Sequence, residues 1–253
     1  MAVLLMTSAL LALAAVSVQE SQWITPEAKG PGLSQVIYSS RSAQCRVSFH
    51  VWLPEGAALE QGHKLPVLYW LHGSGGGHAG IAPLSALFSQ AVQKQAIPPM
   101  IIVFPNGLKN GMWTDAANGK APVESVLINE IIPEVEKQFP ASSHRAGRIV
   151  DGFSMGGYGA GRLGFKYPDL FCAVSMLGAG PMQSDLLEAP EKTRISPLAR
   201  QKILDEVFGG SSKAFYESSP TFYAEKLVEA KKERPQIRLA IGEEDFTLPA
   251  NRS

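Results

Sequence analysis

Apolar positions along this chain follow two rhythms, and each change of rhythm marks an element. Residues 34–54 predict two strands. In the second, Val47, Phe49, Val51 and Leu53 alternate with other residues, the period-two pattern of an antiparallel start to a sheet. Residues 67–71 and 100–104 are unbroken apolar runs that end in the turn signals His72-Gly73 and Pro105-Asn106-Gly107, as strands covered on both faces do. Residues 124–138 change to a helical spacing through Val126-Leu127, Ile131 and Val135. Further strands are predicted at 148–150, 171–177 and 237–241. Strands alternating with helices predict an α/β architecture: a mostly parallel sheet with helices on both faces and ligands bound beyond the strands' carboxyl ends. Residues 181–220 are polar and broken by Pro190, Pro197 and Pro220, which reads as an inserted cap or a peripheral helix pair.

Chemistry enters where the strand at 148–150 stops. Gly152-Phe153-Ser154-Met155-Gly156 is a G-x-S-x-G pattern at a strand-to-helix junction, where a sharp turn lifts a serine hydroxyl above the sheet. Upstream, the strand at 67–71 runs into His72-Gly73-Ser74-Gly75-Gly76-Gly77, a loop whose backbone can approach a ligand closely. Together the two segments predict an oxyanion site made from the amides of Ser74 and Met155.

Five segments carry a family resemblance. They are 67–73, Phe104-Pro105-Asn106-Gly107, Glu130-Ile131-Ile132-Pro133 with Phe139-Pro140, 152–160, and Tyr167-Pro168-Asp169-Leu170-Phe171. Together they resemble the esterase D-like family of S-formylglutathione hydrolases, feruloyl and acetyl-xylan esterases and mycolyltransferases, over most of residues 45–246. The resemblance implies an α/β-hydrolase fold and a Ser-Asp-His triad in that order, with Ser154 as nucleophile and Asp245 as acid. The five histidines (His50, His63, His72, His78, His144) all precede Ser154. The base histidine that the family places after its acid is therefore expected to lie on a C-terminal segment lost from an incomplete copy, or to be absent from a crippled enzyme. Asp151 stands where a small or apolar residue commonly precedes the elbow glycine.

The remaining candidates are secondary. His72 is expected to brace its loop, His78 to touch substrate at the pocket mouth, and His50 to face water or a neighbouring loop. Trp113 is a candidate to stack on a sugar or aromatic acyl group, or else to plug its loop, and Asp115 is the weaker choice of acid. No metal-ligand spacing appears, and neither a metal nor a cofactor is expected. Net charge is zero and no basic cluster exceeds Lys231-Lys232, which argues against nucleic acid as a partner. Residues 3–18 form an apolar run too short for a comfortable membrane span, so residues 1–20 read as a signal peptide, although no Lys or Arg precedes Lys29. A secreted or periplasmic protein follows, with residues 21–253 as one catalytic domain and Cys45 and Cys172 as buried free thiols. The expected activity is serine-dependent hydrolysis of small-molecule or polysaccharide-linked esters of acetyl or feruloyl type. Acyl transfer to a sugar alcohol, S-formylglutathione hydrolysis and a non-catalytic carbohydrate-binding module are the alternatives.

Overall fold

The computed structural model describes residues 21–55, 62, 64–188, 193 and 195–252. The proposed signal peptide and His63 lie outside them. Among the described residues seven strands form one sheet: β1 (Leu33–Ser39), β2 (Arg46–Trp52), β3 (Val67–Leu71), β4 (Ile101–Pro105), β5 (Arg148–Phe153), β6 (Ala173–Leu177) and β7 (Gln236–Ala240), in the order β1-β2-β4-β3-β5-β6-β7. Pairings β1–β2 and β2–β4 are antiparallel and all others parallel, so β3 to β7 point their carboxyl ends the same way.

Strand parity sorts side chains into two cores. Tyr69, Leu71, Val103 and Val150 face the larger one, shared with α4 (Met155–Lys166), α5 (Pro197–Phe208), α6 (Ser212–Glu217) and α7 (Pro220–Glu229). Leu68, Trp70, Ile102 and Phe104 face the smaller one, beneath α1 (His78–Gln93). There the ring of Trp70 meets Phe88 edge-on at 6.2 Å.

Three local features depart from the sequence pattern. The alternation in β2 does not mean that one face is wet. Ser48, His50 and Trp52 are buried too, because residues 23–28 cross that face. Thr25 donates its amide to Ser48 Oγ at 2.8 Å, and Ala28 donates to His50 Nε2 at 3.1 Å. His50 thus sits at 0% exposure, against the neighbouring loop rather than water, the second of the two places expected for it. The helix expected over 124–138 comprises α2 (Val123–Val126), a π-helical turn (Leu127–Ile131) and α3 (Ile132–Gln138). Pro133, which lacks an N–H for the carbonyl four residues back, sits just after the π turn.

The 181–220 segment supplies α5 and α6, capped by Ser196 and Ser211, whose hydroxyls accept the amides of Ala199 and Ala214. Its Ile203, Leu204, Val207, Phe208 and Phe215 join the larger core, and Phe215 stacks on Tyr158 of α4 at 6.2 Å. Cys45 and Cys172 form no disulfide, and both are half-buried rather than buried as expected. Among the described residues, no helix is long and apolar enough to cross a membrane.

Candidate active site

The turn from β5 into α4 is strained. Ser154 adopts φ 57° and ψ −120°, a conformation that an L-residue occupies only when its surroundings fix it. They do so here by close approach. A methyl group on Gly156 would stand 1.9 Å from the carbonyl oxygen of Leu71, so only glycine lets α4 start against β3. The Ser154 amide donates to Leu177 O at 2.9 Å, tying the turn to the end of β6. Met155 begins α4, so its amide is among those a helix leaves unbonded at its electropositive end.

The loop after β3 meets this turn. A Cβ on Gly73 would lie 3.2 Å from Cβ of Ser154, placing the amide of Ser74 one residue beyond the contact. Gly75 and Gly76 carry the loop on at φ 94° and 105°, and Gly75 donates its amide to Lys109 O at 2.8 Å.

His72 braces this loop. Nδ1 lies 2.8 Å from Gly73 O and therefore donates, while Nε2 accepts the amide of Gly107 at 3.0 Å. Both ring nitrogens are committed to one neutral tautomer. Burial pushes the pKa of His72 down, with the Gly73 carbonyl opposing. A ring so engaged cannot take a proton from Ser154 without releasing Gly107.

Trp113 supports His72 in turn. Its indole N–H donates to His72 O at 3.1 Å, and the two rings meet edge-on at 5.1 Å. Trp113 is 0% exposed, so it plugs the base of the 106–122 loop and has no free face for a substrate. The stacking role considered for it is thereby corrected. Cβ atoms on Gly107 and Gly159 would come within 2.5 Å of the indole, so glycine at both places makes room for it. Behind it, Arg162 donates to Trp113 O at 3.2 Å and pairs with buried Glu124 at 2.6 Å. Burial alone would raise the carboxyl of Glu124, but Arg162, Lys166 and Tyr167 outweigh it and hold the group below the usual carboxylate range.

Asp245 lies across the elbow. Its Oδ1 accepts both the amide and the hydroxyl of Thr247, each at 2.8 Å. Its Oδ2 and the Phe153 ring lie 3.3 and 3.2 Å from the point where a Cβ on Gly178 would stand. Gly178 follows Leu177, the acceptor of the Ser154 amide, so the structure brings Ser154, the Gly73 loop and Asp245 to one end of the sheet. Asp115 serves elsewhere: exposed, it accepts the amide and hydroxyl of Ser125 at the start of α2. His78 is exposed at the first turn of α1, and His144 is exposed in its connector.

A cavity of about 340 Å³ opens beside the elbow, walled by Trp70, Ile81, Leu84, Phe104, Phe153 and Leu177 and bordered by Gly73, Gly76 and Gly77. Its aromatic walls escaped the sequence reading, because Trp70 and Phe104 look like ordinary buried strand residues until the strand order places them on one face. Thr247 was also missed, although a threonine two residues after an aspartate at a strand end is a local hydrogen-bonding signal. Among the described residues, no group of three or more His, Cys, Asp or Glu is placed to hold a metal ion.

Comparison with known proteins identifies the family and the fold. The chain matches the family described as "Putative esterase" over residues 40–252. It is 29% identical over 196 residues to an acetyl esterase of Caldicellulosiruptor saccharolyticus, covering 75% of this chain and 69% of that protein. It is 27% identical over 176 residues to an endo-1,4-beta-xylanase/feruloyl esterase of Xylanibacter ruminicola, covering 64% of this chain and 23% of that larger protein. Among solved structures it resembles the fluorophosphonate-binding serine hydrolase F of Staphylococcus aureus, with TM-score 0.70 and 22% identity over 88% of this chain and 84% of that one. It also resembles an S-formylglutathione hydrolase of the same organism, with TM-score 0.63 and 22% identity over 87% and 83%. The fold is therefore the α/β-hydrolase fold.

Proposed function

We propose a serine-dependent carboxylester hydrolase, on the premise that the chain belongs to the putative esterase family, which it matches over residues 40–252. The observation that carries the reading is the backbone of Ser154, held at φ 57° between a strand and a helix and in contact with the Gly73 loop. A strained serine next in the chain to Phe153, a wall of the aromatic cavity, has no evident structural purpose, whereas acyl transfer needs a hydroxyl set out from the sheet.

In this reading Ser154 Oγ attacks the ester carbonyl, and the amides of Ser74 and Met155 hold the negative charge that develops on its oxygen. Each such donor is worth about 3 kcal/mol. The alcohol leaves with a proton, and water then attacks the acyl-serine, releasing the carboxylic acid and restoring the hydroxyl. Asp245, pinned by Thr247, is the acid that would orient an imidazole base for these proton transfers. Among the described residues no histidine is hydrogen-bonded to Ser154 or Asp245, and His72 is already engaged at both nitrogens.

The substrates best supported are acetyl or feruloyl-type esters of carbohydrates. The activities named for the matched relatives point there, the cavity's Trp70, Phe104 and Phe153 suit a flat acyl group, and export through residues 1–20 would bring the enzyme to polysaccharide. His78, next in the chain to the cavity-bordering Gly77, is the candidate to touch substrate at the pocket mouth.

Chemical rescue tests the mechanism. Hydrolysis of an acetyl or feruloyl ester by this chain should rise with added imidazole, and S154A should lose that increment. An equal increment in S154A would sink the proposal.

A further inference from the structure

Asp151 is the residue that the elbow pattern did not account for, and the sheet gives it neighbours. In register across four strands stand Trp70 (β3), Asp151 (β5), Ser175 (β6) and Arg238 (β7). All four share the face that carries Phe153 and Leu177; Trp70 itself walls the cavity, and Asp151 and Ser175 stand one pleat before those two residues. Asp151 is buried, and its Oδ1 accepts the amide of Gly152 at 2.8 Å. Ser175 stands beside Asp151 across the β5–β6 pairing, and Arg238 donates to Ser175 Oγ at 3.1 Å.

A buried carboxylate is expensive unless it is satisfied, and this one is satisfied by a row leading away from the elbow. One end of the row is the amide two residues before Ser154. The other is β7, the strand that runs into the Asp245 loop.

We propose that Asp151 is a positioning residue: through Ser175 and Arg238 it couples the nucleophile's strand to the acid's strand and fixes where Ser154 stands relative to Asp245. This rests on the ester-hydrolase reading of Ser154. Of the residues in register with Asp151 on this face, Trp70 on β3, Ser175 on β6 and Arg238 on β7, Arg238 is the charged one. Burial raises the Asp151 pKa, with Ser175, Gly152 and Arg238 opposing. Protonation above the ordinary carboxylate range would therefore uncouple the row.

The test is the rate at which a fluorophosphonate labels Ser154 in the full chain, read beside hydrogen exchange of residues 151–156. D151A should slow labelling by about tenfold, short of the ~100-fold that a 1 Å misplacement can cost. D151N keeps an acceptor for Gly152 but is neutral like the protonated acid, so at every pH it should label at the slower rate that the parent reaches on its acid limb. The acid limb of the labelling profile should be present in the parent and absent in D151N. Adding R238Q to D151A should cost nothing further, because the row is already cut. Elbow amides should exchange faster in D151A and R238Q than in the parent. Parental labelling in D151A with a parental pH limb would overturn the proposal, as would additive losses in the double variant. A parent whose Ser154 does not label defeats the hydrolase reading instead. Exchange then decides the positioning role, and unchanged protection of 151–156 in D151A refutes it.

Discussion

The two halves of the site are held in different ways. The serine and the glycine loop stand on the middle strands, where Trp113, His72, Arg162 and Glu124 brace them from behind, nearly all buried and hydrogen-bonded in series. Asp245 stands beyond β7, an edge strand whose Ile237 and Leu239 are 55% and 48% exposed, and its carboxylate is fixed chiefly by its own neighbour Thr247. One half takes its geometry from the core of the molecule and the other from a local turn. Damage to the first should therefore spread, and damage to the second should stay local.

The sharpest way to break that contrast is W113A. It empties a fully buried indole's place and strands the carbonyl of His72, so denaturant unfolding should show a loss of about 3–5 kcal/mol. A loss no larger than that of a surface change would mean that the brace is passive.

Next comes acidification, which acts through His50. Burial first, and His78 second, push its pKa down from 6.5 to about 4, with Glu27 opposing. The unfolded chain takes up this proton first, so the stability contribution is complete above pH 6.5 and is lost as pH falls towards 4. Melting curves between those limits should record a loss of roughly 2–3 kcal/mol that is missing from the pH dependence of H50Q.

The smallest effect belongs to the acid's side. T247V removes one of two hydrogen bonds to Asp245 Oδ1 and should cost only about 1 kcal/mol of global stability. Its exchange with solvent should quicken around residues 242–248 and not in the elbow. A cooperative loss as large as that of W113A would erase the distinction.

Much of the scaffold was readable from the chain because apolar runs and turn signals coincide. The bounds of β3 match a five-residue run, and the serine pentapeptide bridges β5 and α4 as its glycines require. What escaped depended on distant partners. Burial of His50 follows from residues 23–28 folding over β2, which no local pattern announces. Trp113 on a glycine-rich loop reads equally as a platform or a plug until Gly107 and Gly159 are seen to make room for it. Helix α1 was left undelimited, since Gly80 and Pro83 interrupt its early turns. The setting of Asp151 needed the register of four strands, because Ser175 and Arg238 lie far along the chain.

The contact between Gly156 and the carbonyl of Leu71 has a mechanical corollary. With no side chain between them, the start of α4 and the end of β3 abut as one solid piece, and the segments that each carries must drift together. Thermal jostling can carry the pair as a unit, yet it can hardly widen the gap between the Ser154 hydroxyl and the loop that begins at Gly73.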